Sequence, residues 1–201
     1  EATVDLDGLP FSPDNDGRND ELGIAISVTD RSAIDSWQLA ILDRNQRPFQ
    51  LFEGSGQPRD RIVWDGRGTG GDTVISAEDY PYRLTVTDSV GNTRTVEGAI
   101  PIDILVVRDG ERLRIQIASI TFLPNSPELE LTPETPAGAR NLSVLGRLVE
   151  IFDRYETYRI RIEGHAVNIT GTEREEREEL EPLSLARAER VRNELIRLGM
   201  E

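Results

Sequence analysis

The sequence predicts two modules, an all-β sandwich followed by an α/β domain with the order strand, helix, strand, helix. Two observations predict this class. Up to about residue 105, apolar residues alternate with small or polar ones in short runs; from about residue 137, they recur at helical spacing in two segments. A length of 201 residues is compatible with two domains. We place the first at residues 1–108 and the second at residues 109–201.

Composition narrows the classes of partner. The formal net charge is −14, which disfavours nucleic acid, because binding to phosphate backbones requires clustered cations. An anionic membrane surface is disfavoured for the same reason. Cysteine is absent, which excludes disulfides, thiolate metal sites and cysteine nucleophiles. No apolar run approaches the roughly 20 residues that a spanning helix needs, so we expect no membrane span in this chain.

The first half consists of short strands separated by turns. Alternation with period two is typical of half-buried strands, and the breaks are rich in Gly, Pro, Asp and Asn. The alternating apolar positions are Leu22, Ile24, Ile26 and Val28, then Trp37, Leu39 and Ile41, then Tyr82, Leu84 and Val86. The breaks are residues 13–17, 54–56, 66–71 and 91–92. Such punctuation favours an antiparallel sandwich, with Trp64 in its core and a hairpin connection at 66–71.

Three segments in this half carry a family resemblance. They are FSPDNDGRND at 11–20, WDGRGTGGDTV at 64–74 and YPYRLTVTDSVGN at 80–92. Together, and in this order, they resemble the immunoglobulin-like domain found in FlgD and in bacterial surface and secretion proteins. The resemblance implies an immunoglobulin-like β-sandwich that serves as a spacer or as a partner-binding arm.

The first of these segments also concentrates oxygen ligands. Asp14, Asp16, Asn19 and Asp20 offer the hard oxygens that Ca²⁺ prefers. Their spacing differs from that of an EF-hand loop, since Gly17 directly follows Asp16. The alternative is a tight Asx-type turn that leads into the first long strand. We expect no other cofactor.

Strands of the second half are predicted by alternation. The apolar positions are Leu113, Ile115 and Ile117 for one strand, which residues 120–122 continue after a change of phase, and Tyr158, Ile160 and Ile162 for the other. Strands joined by a helix are expected to lie parallel in one small sheet.

Helices of the second half are predicted over about residues 137–155 and 185–198, each with apolar residues along one face. The first follows a loop that contains four prolines between residues 124 and 136. Ser184 is the expected N-cap of the last helix and Gly199 its C-terminal stop.

This order, together with Phe122, the Gly164-His165 pair and LSLARAERV at 183–191, resembles the C-terminal domain of the OmpA family. Members of that family hold peptidoglycan in the envelope of diderm (Gram-negative) bacteria. The family domain continues with a third strand beyond the second helix, so the resemblance implies a divergent and C-terminally incomplete copy. Its exposed sheet edge is then expected to pair with another envelope protein.

The resemblance also implies a ligand site. In the family, an Asp and an Arg clamp the ammonium and carboxylate of the peptidoglycan stem, helped by backbone N–H groups at a helix start. Arg187 corresponds to the arginine and Ser184 lies at the helix start. Val167 replaces the Asp, so the ammonium loses its charged partner. Asn168 is the nearby residue that can still accept a hydrogen bond from it.

Two functions follow from the resemblance. The first is a non-enzymatic periplasmic protein that associates with peptidoglycan, next to the outer membrane. The second is a structural or protein–protein interaction module that keeps the OmpA-like scaffold without binding the wall, which Val167 favours. We expect no enzyme and assign no catalytic residue. His165 is the only histidine, and the sequence shows no nucleophile with a base and no paired carboxylates placed for hydrolysis.

Overall fold

The computed structural model describes residues 1–117, 120–165 and 179–200. The chain forms two compact units, Glu1–Ala118 and Ser119–Glu201. This division falls later than the boundary after residue 108 that the sequence suggested. The reason is that two short strands, β8 (Val107–Asp109) and β9 (Arg112–Arg114), pair as a hairpin that spans the expected boundary.

The first unit is an immunoglobulin-like β-sandwich, as expected. Its seven long strands form two antiparallel sheets, one with the order β1-β2-β5 and the other β4-β3-β6-β7. The strands are β1 (Ala2–Asp7), β2 (Leu22–Val28), β3 (Ile34–Leu42), β4 (Pro48–Ser55), β5 (Arg61–Trp64), β6 (Asp79–Asp88) and β7 (Thr93–Pro101).

The core of the first unit contains the positions that the alternation predicts. Leu39 and Leu84 are fully buried and lie opposite each other on β3 and β6. Trp64, 1% exposed, is also in this core. Its ring contacts Phe11, Phe49 and Tyr80 at centroid distances of 5.4, 6.3 and 6.4 Å. The indole N–H of Trp64 donates to the carbonyl of Arg67 (2.8 Å), so its one polar atom is satisfied.

The connection after β5 is a hairpin, as predicted. Arg67 and Thr73 form an antiparallel bridge, and Val74 N–H donates to the carbonyl of Gly66 (2.9 Å). Gly66 has a φ of +78°, and a Cβ there would lie 2.5 Å from Cγ of Pro13. Both the conformation and the space therefore require glycine at this position.

The turn between β6 and β7 is built on the buried carboxylate of Asp88, which is 6% exposed. This carboxylate accepts from the N–H groups of Val90 (3.0 Å) and Asn92 (2.8 Å) and from the Asn92 side-chain amide (2.8 Å). The amide of Asn92, followed by the backbone N–H groups, holds the pKa of Asp88 below its usual range, against the opposing effect of burial.

In its described residues, the second unit has two helices that pack against each other, α1 (Pro136–Asp153) and α2 (Glu181–Arg197). Thr135 caps α1, because its Oγ1 accepts from Gly138 N–H (3.0 Å). The packed positions are Val144, Leu145, Leu148 and Ile151 on α1 and Ala188, Val191 and Leu195 on α2. Gly199 follows α2 with a φ of +114°, which confirms the predicted stop.

A turn at residues 121–130 precedes α1 and is held to it by Asn141, which is fully buried. Asn141 Oδ1 accepts from Thr121 N–H (2.9 Å), and Nδ2 donates to the carbonyls of Thr121 and Glu130 (both 2.7 Å). Phe122 and Leu129 pair across the turn in an isolated antiparallel bridge. One side chain thus fixes both ends of the turn.

The predicted strands of the second half are largely wrong. From the first, only Arg112–Arg114 is a strand, and it pairs with β8 in the first unit. Residues 120–122 contribute a single bridge, and residues 159–163 are not a strand. An alternating segment forms a strand only where a neighbouring strand supplies hydrogen-bond partners for its backbone. Within residues 120–165 and 179–200, the only pairing is the bridge inside the turn at residues 121–130. The described residues of the second unit therefore form a helical region, and the parallel sheet of the expected β-α-β-α order is not found among them.

None of the helices in the described ranges is long and apolar enough to cross a membrane.

Replacing Asp88 by Asn should flatten the acid dependence of stability. The pKa of Asp88 is lowered by folding, so its stabilisation is complete above the unfolded-state pKa and is lost as pH falls below about 4. Thermal melts of wild type and Asp88→Asn between pH 7 and pH 3 measure this. The gap in Tm should be largest at neutral pH and close on acidification; a gap that is constant with pH contradicts the assignment.

Removing the fully buried amide of Asn141 should destabilise the second unit by about 2–4 kcal/mol, because three backbone groups at the two ends of the turn lose their partner. Urea denaturation of Asn141→Ala, followed by helical circular dichroism, measures the loss. Asn193→Ala, on the exposed face of α2, is the matched control and should melt like wild type. Equal stability of the two variants would contradict the role given to Asn141.

Candidate functional site

Two groups of side chains were predicted from the sequence, one in each unit. The first is the acidic loop at residues 11–20. Its carboxylates Asp14, Asp16 and Asp20 each bring an oxygen within 4.8 Å of the others. The fourth predicted ligand, Asn19, has a φ of +54° and uses its backbone carbonyl to accept from Ser12 N–H (3.0 Å). The structure thus gathers three of the four residues.

The carboxylates of the acidic loop are used by the loop's own backbone. Asp16 N–H donates to Asp14 (3.3 Å) and Arg18 N–H donates to Asp16 (2.7 Å), which makes two Asx turns. Asp20 accepts from the N–H groups of Asn15 (2.6 Å) and Gly17 (2.8 Å). These are the bonds that the Asx-turn interpretation requires. Calcium binding stays the alternative interpretation of this loop.

Asp14 links the acidic loop to the end of the sandwich. Its Oδ2 accepts from Val106 N–H (2.8 Å), 92 residues away in sequence. Partial burial is the main cause that raises the pKa of Asp14, and the charges of Asp16 and Asp20 add to it, whereas the bond from Val106 lowers it. The Asp14 carboxylate thus ties the acidic loop to the segment that follows β7.

The second group surrounds the start of α2. Gly164 leaves no room for a side chain, because a Cβ at this position would lie 2.2 Å from the carbonyl oxygen of Ser184 and 3.3 Å from the backbone nitrogen of Ala188. The backbone at Gly164 therefore packs directly on the helix. The Gly-His pair and the LSLAR segment, which the sequence singled out separately, meet in space.

Ser184 is not the N-cap that the sequence predicted. Helix α2 begins three residues earlier, at Glu181, with Pro182 in its first turn and Leu180 at the cap position without a side-chain bond. Ser184 Oγ donates instead to the carbonyl of Glu181 (3.0 Å). Proline is well suited to the first turn of a helix, because the backbone N–H that it lacks would have no hydrogen-bond partner in the helix there. Pro182 is therefore a better indicator of the start of this helix than Ser184.

Arg187 faces the turn at residues 121–130. Its guanidinium carbon lies over the Phe122 ring, 4.8 Å from the centroid, and its Nε donates to the carbonyl of Ser126 (3.3 Å). Within the described part of the chain, Arg187 makes no ion pair with a carboxylate. The partnership with Phe122 was not predicted, because no sequence pattern connects residues 65 positions apart.

The neighbouring arginines of α2 are neutralised. Arg190 pairs with Glu128 (2.9 Å) and Glu194 (3.0 Å), and Arg197 pairs with the other oxygen of Glu194. Glu194 is 2% exposed. The hydrogen bonds from Arg197, then those from Arg190, lower the pKa of Glu194 against its burial. Among the described residues, Arg187 has no ion pair with a carboxylate, in contrast to Arg190 and Arg197.

The remaining predicted site residues, Val167 and Asn168, lie outside the described residues. His165 is described and exposed.

No family model matches this sequence, and no curated protein matches it either. Among solved structures, the chain is similar to two PKD domains. One is the PKD1 domain of Vibrio anguillarum Epp, with 19% identity, a TM-score of 0.32, and coverage of 51% of this chain and 92% of that one. The other is the PKD1 domain of the Vibrio cholerae metalloprotease PrtV, with 17% identity, a TM-score of 0.29, and coverage of 51% and 93%. The immunoglobulin-like assignment of the first unit rests on its own two sheets.

Replacing Asp20 by Ala should destabilise the first unit by about 1–3 kcal/mol, because the N–H groups of Asn15 and Gly17 lose their acceptor. Thermal melts of wild type and Asp20→Ala measure this loss.

Thermal melts with millimolar CaCl₂ test the calcium alternative. The Tm of wild type should stay unchanged, since the carboxylates already accept hydrogen bonds from the loop's own backbone. A calcium-dependent rise in Tm that Asp16→Asn abolishes would instead show that the acidic loop holds the cation.

Proposed function

We propose that this chain belongs to a non-enzymatic envelope protein of a diderm bacterium that associates with peptidoglycan in the periplasm through its second unit. The observation that carries the proposal is Arg187. Its guanidinium is held in place by Phe122 and Ser126, yet it has no carboxylate partner among the described residues. A fixed, uncompensated arginine is suited to binding a carboxylate from outside the chain.

The surroundings of Arg187 support this ligand chemistry. The close contact between Gly164 and Ser184 brings the end of the Gly-His segment to the first turns of α2, near the arginine. The stem peptide of peptidoglycan carries free carboxylates, and in the OmpA-like family this part of the domain receives them. The resemblance and the geometry of Arg187 thus agree on the same residue.

The first unit has a supporting role in this proposal. An immunoglobulin-like sandwich of the kind that FlgD and surface proteins contain would extend the wall-binding unit from its anchor or would bind another envelope protein. The outer strands of its sheets, β4 and β7 among them, offer edges for such a partner.

A second function is favoured by one residue. Val167 stands where the family has the Asp that pairs with the ligand's ammonium, and valine offers no charge and no hydrogen bond. In this alternative, the OmpA-like scaffold no longer binds the wall and serves as a structural or interaction module, and Arg187 only fastens the turn to α2.

Co-sedimentation with purified, diaminopimelate-containing sacculi separates the two functions. Wild type should pellet with the sacculi, and Arg187→Ala should lose about tenfold or more in affinity, because a charged hydrogen-bonding partner is removed. Arg192→Ala is the matched control, since Arg192 is an exposed arginine of the same helix and its removal changes the net charge equally.

The outcome that contradicts wall binding is wild type remaining in the supernatant at both low and high salt. A gain-of-function variant gives a further check. Val167→Asp restores the family's ammonium partner, so it should strengthen binding to free diaminopimelate. An unchanged affinity would contradict the residue-by-residue correspondence with the family.

A further inference from the structure

We propose that the outer edge of β7 binds the same edge of a second copy of this chain, in an antiparallel register that places Val96 opposite Val96 of the second copy. The contact lies in the sandwich, at residues 93–99. It goes beyond the wall binding proposed above and does not depend on Arg187.

The backbone of β7 directs alternate residues towards β6 and away from it. The two strands pair along their length without a register shift. At one end of this ladder, Asp88 N–H donates to the carbonyl of Asn92 (2.9 Å); at the other end, Ile102 N–H donates to the carbonyl of Glu78 (3.0 Å). Even-numbered residues therefore bond to β6, and the N–H and C=O groups of odd-numbered residues point to the outer edge.

This edge is open over residues 93–99. β7 is the last strand of its sheet, and within residues 1–117 the outward backbone groups of this stretch make no hydrogen bond to another segment. The residues concerned are Thr93, Thr95, Glu97 and Ala99. Edge strands are commonly protected by a bulge, a lysine, a proline or a covering segment. Residues 93–99 have no lysine, no proline and no register shift.

The opposite edge of the same sheet is protected. β4 begins with Pro48, and its pairing with β3 is irregular between Ile41 and Leu42. The N–H of Thr69 donates to the carbonyl of Phe49 (2.9 Å), so a loop covers part of β4. Of the two edges of this sheet, the edge of β7 is thus the one that accepts another strand.

Charge selects one antiparallel register. Only shifts by two residues keep the outward backbone groups opposite each other. With Thr95 opposite Glu97 of the second copy, the two-fold axis passes between the two Val96 residues and Arg94 lies opposite Gly98. A shift by two residues in one direction places the two Glu97 carboxylates opposite each other, which is destabilising. The same shift in the other direction places the guanidinium of Arg94 opposite the apolar Val96.

Packing favours the same register. Val96 is only partly buried against the sandwich core, so the second Val96 covers apolar surface that is otherwise in water. The two form a non-hydrogen-bonded pair, in which opposed side chains lie closest. A Cβ at Gly98 would lie 2.5 Å from the Tyr82 hydroxyl, so Arg94 of the second copy meets a tyrosine ring there, a favourable partner for a guanidinium.

The edge is close to neutral, in a chain with a net charge of −14. Glu97 is paired with Arg83 (2.6 Å), and Arg94 is the other charged residue of β7. Two acidic molecules repel each other, so they associate where the local charge is balanced. Because salt screens the remaining repulsion, the pairing should strengthen as salt is raised from low ionic strength.

Sedimentation velocity of the full chain at rising concentration tests the pairing. Wild type should pass from monomer to dimer. Thr95→Pro should stay monomeric, because proline removes an outward N–H while the ladder with β6 keeps its hydrogen bonds. Thr95→Val keeps that N–H and should dimerise like wild type; circular dichroism checks that both variants fold. Wild type that stays monomeric at millimolar concentration, or equal dimerisation by the two variants, overturns the proposal.

Single cysteines test the register, since the chain contains no cysteine of its own. Val96→Cys should give a disulfide-linked dimer on oxidation, because the Cα atoms of such a pair lie about 4.5 Å apart, within the range of a disulfide. Val63→Cys, on the edge strand β5 and 51% exposed, is the control and should stay monomeric. Faster crosslinking in Thr95→Cys than in Val96→Cys overturns the proposal, since it requires a different register.

Pairing and wall binding are tested separately. Arg187→Ala should dimerise like wild type, because the contact lies in the first unit. Loss of dimerisation in Arg187→Ala would overturn the proposal, since it would place the contact in the second unit. If wild type dimerises through Val96 but does not pellet with sacculi, the pairing stands and the proposed function falls.

Discussion

The second unit depends on one buried side chain, the amide of Asn141. The described part of this unit, two helices and a turn, has little apolar surface with which to fix the turn, so polar hydrogen bonds must fix it. Asn141 satisfies three backbone groups at the two ends of the turn at once. Because the turn is fixed, Phe122 and Ser126 stand at defined positions opposite α2, and the guanidinium of Arg187 is fixed in turn.

The two units treat their charges differently. In the acidic loop of the first unit, carboxylates are satisfied by backbone N–H groups of the same loop, as Asp20 shows with Asn15 and Gly17. On α2, the buried Glu194 forms ion pairs with Arg190 and Arg197. Arg187 has no counterion among the described residues.

The sequence predicts best what is decided locally or by a buried face. Alternation identified β2, β3 and β6, because each has one face in the core, and glycine identified the hairpin at Gly66 and the end of α2 at Gly199. The sequence pattern predicts less well where an element forms only if another segment pairs with it. Ile160 and Ile162 alternate correctly, but alternation does not say whether a neighbouring strand is present.

The site was predicted only in part for the same reason. Family resemblance pointed to Arg187 and Ser184, but placed Ser184 at a helix start, where Pro182 shows that the helix has already begun. The role of Asn141 could not be predicted from the sequence, because an asparagine within a helix is not unusual. Only the structure shows that its amide binds the backbone of the turn at residues 121–130. Phe122 was noticed as part of a motif, and only the folded chain shows that its ring lies against Arg187.

The central claim is that Arg187 and its immediate neighbours form a carboxylate-binding site. The measurement that tests it most directly is the ¹H–¹⁵N spectrum of the full chain during titration with a diaminopimelate-containing tripeptide. The account predicts shifts confined to Arg187, Ser126, Gly164 and the first turns of α2, with the sandwich signals unchanged. Shifts that are absent there, or that fall on the strands of the first unit, would contradict it.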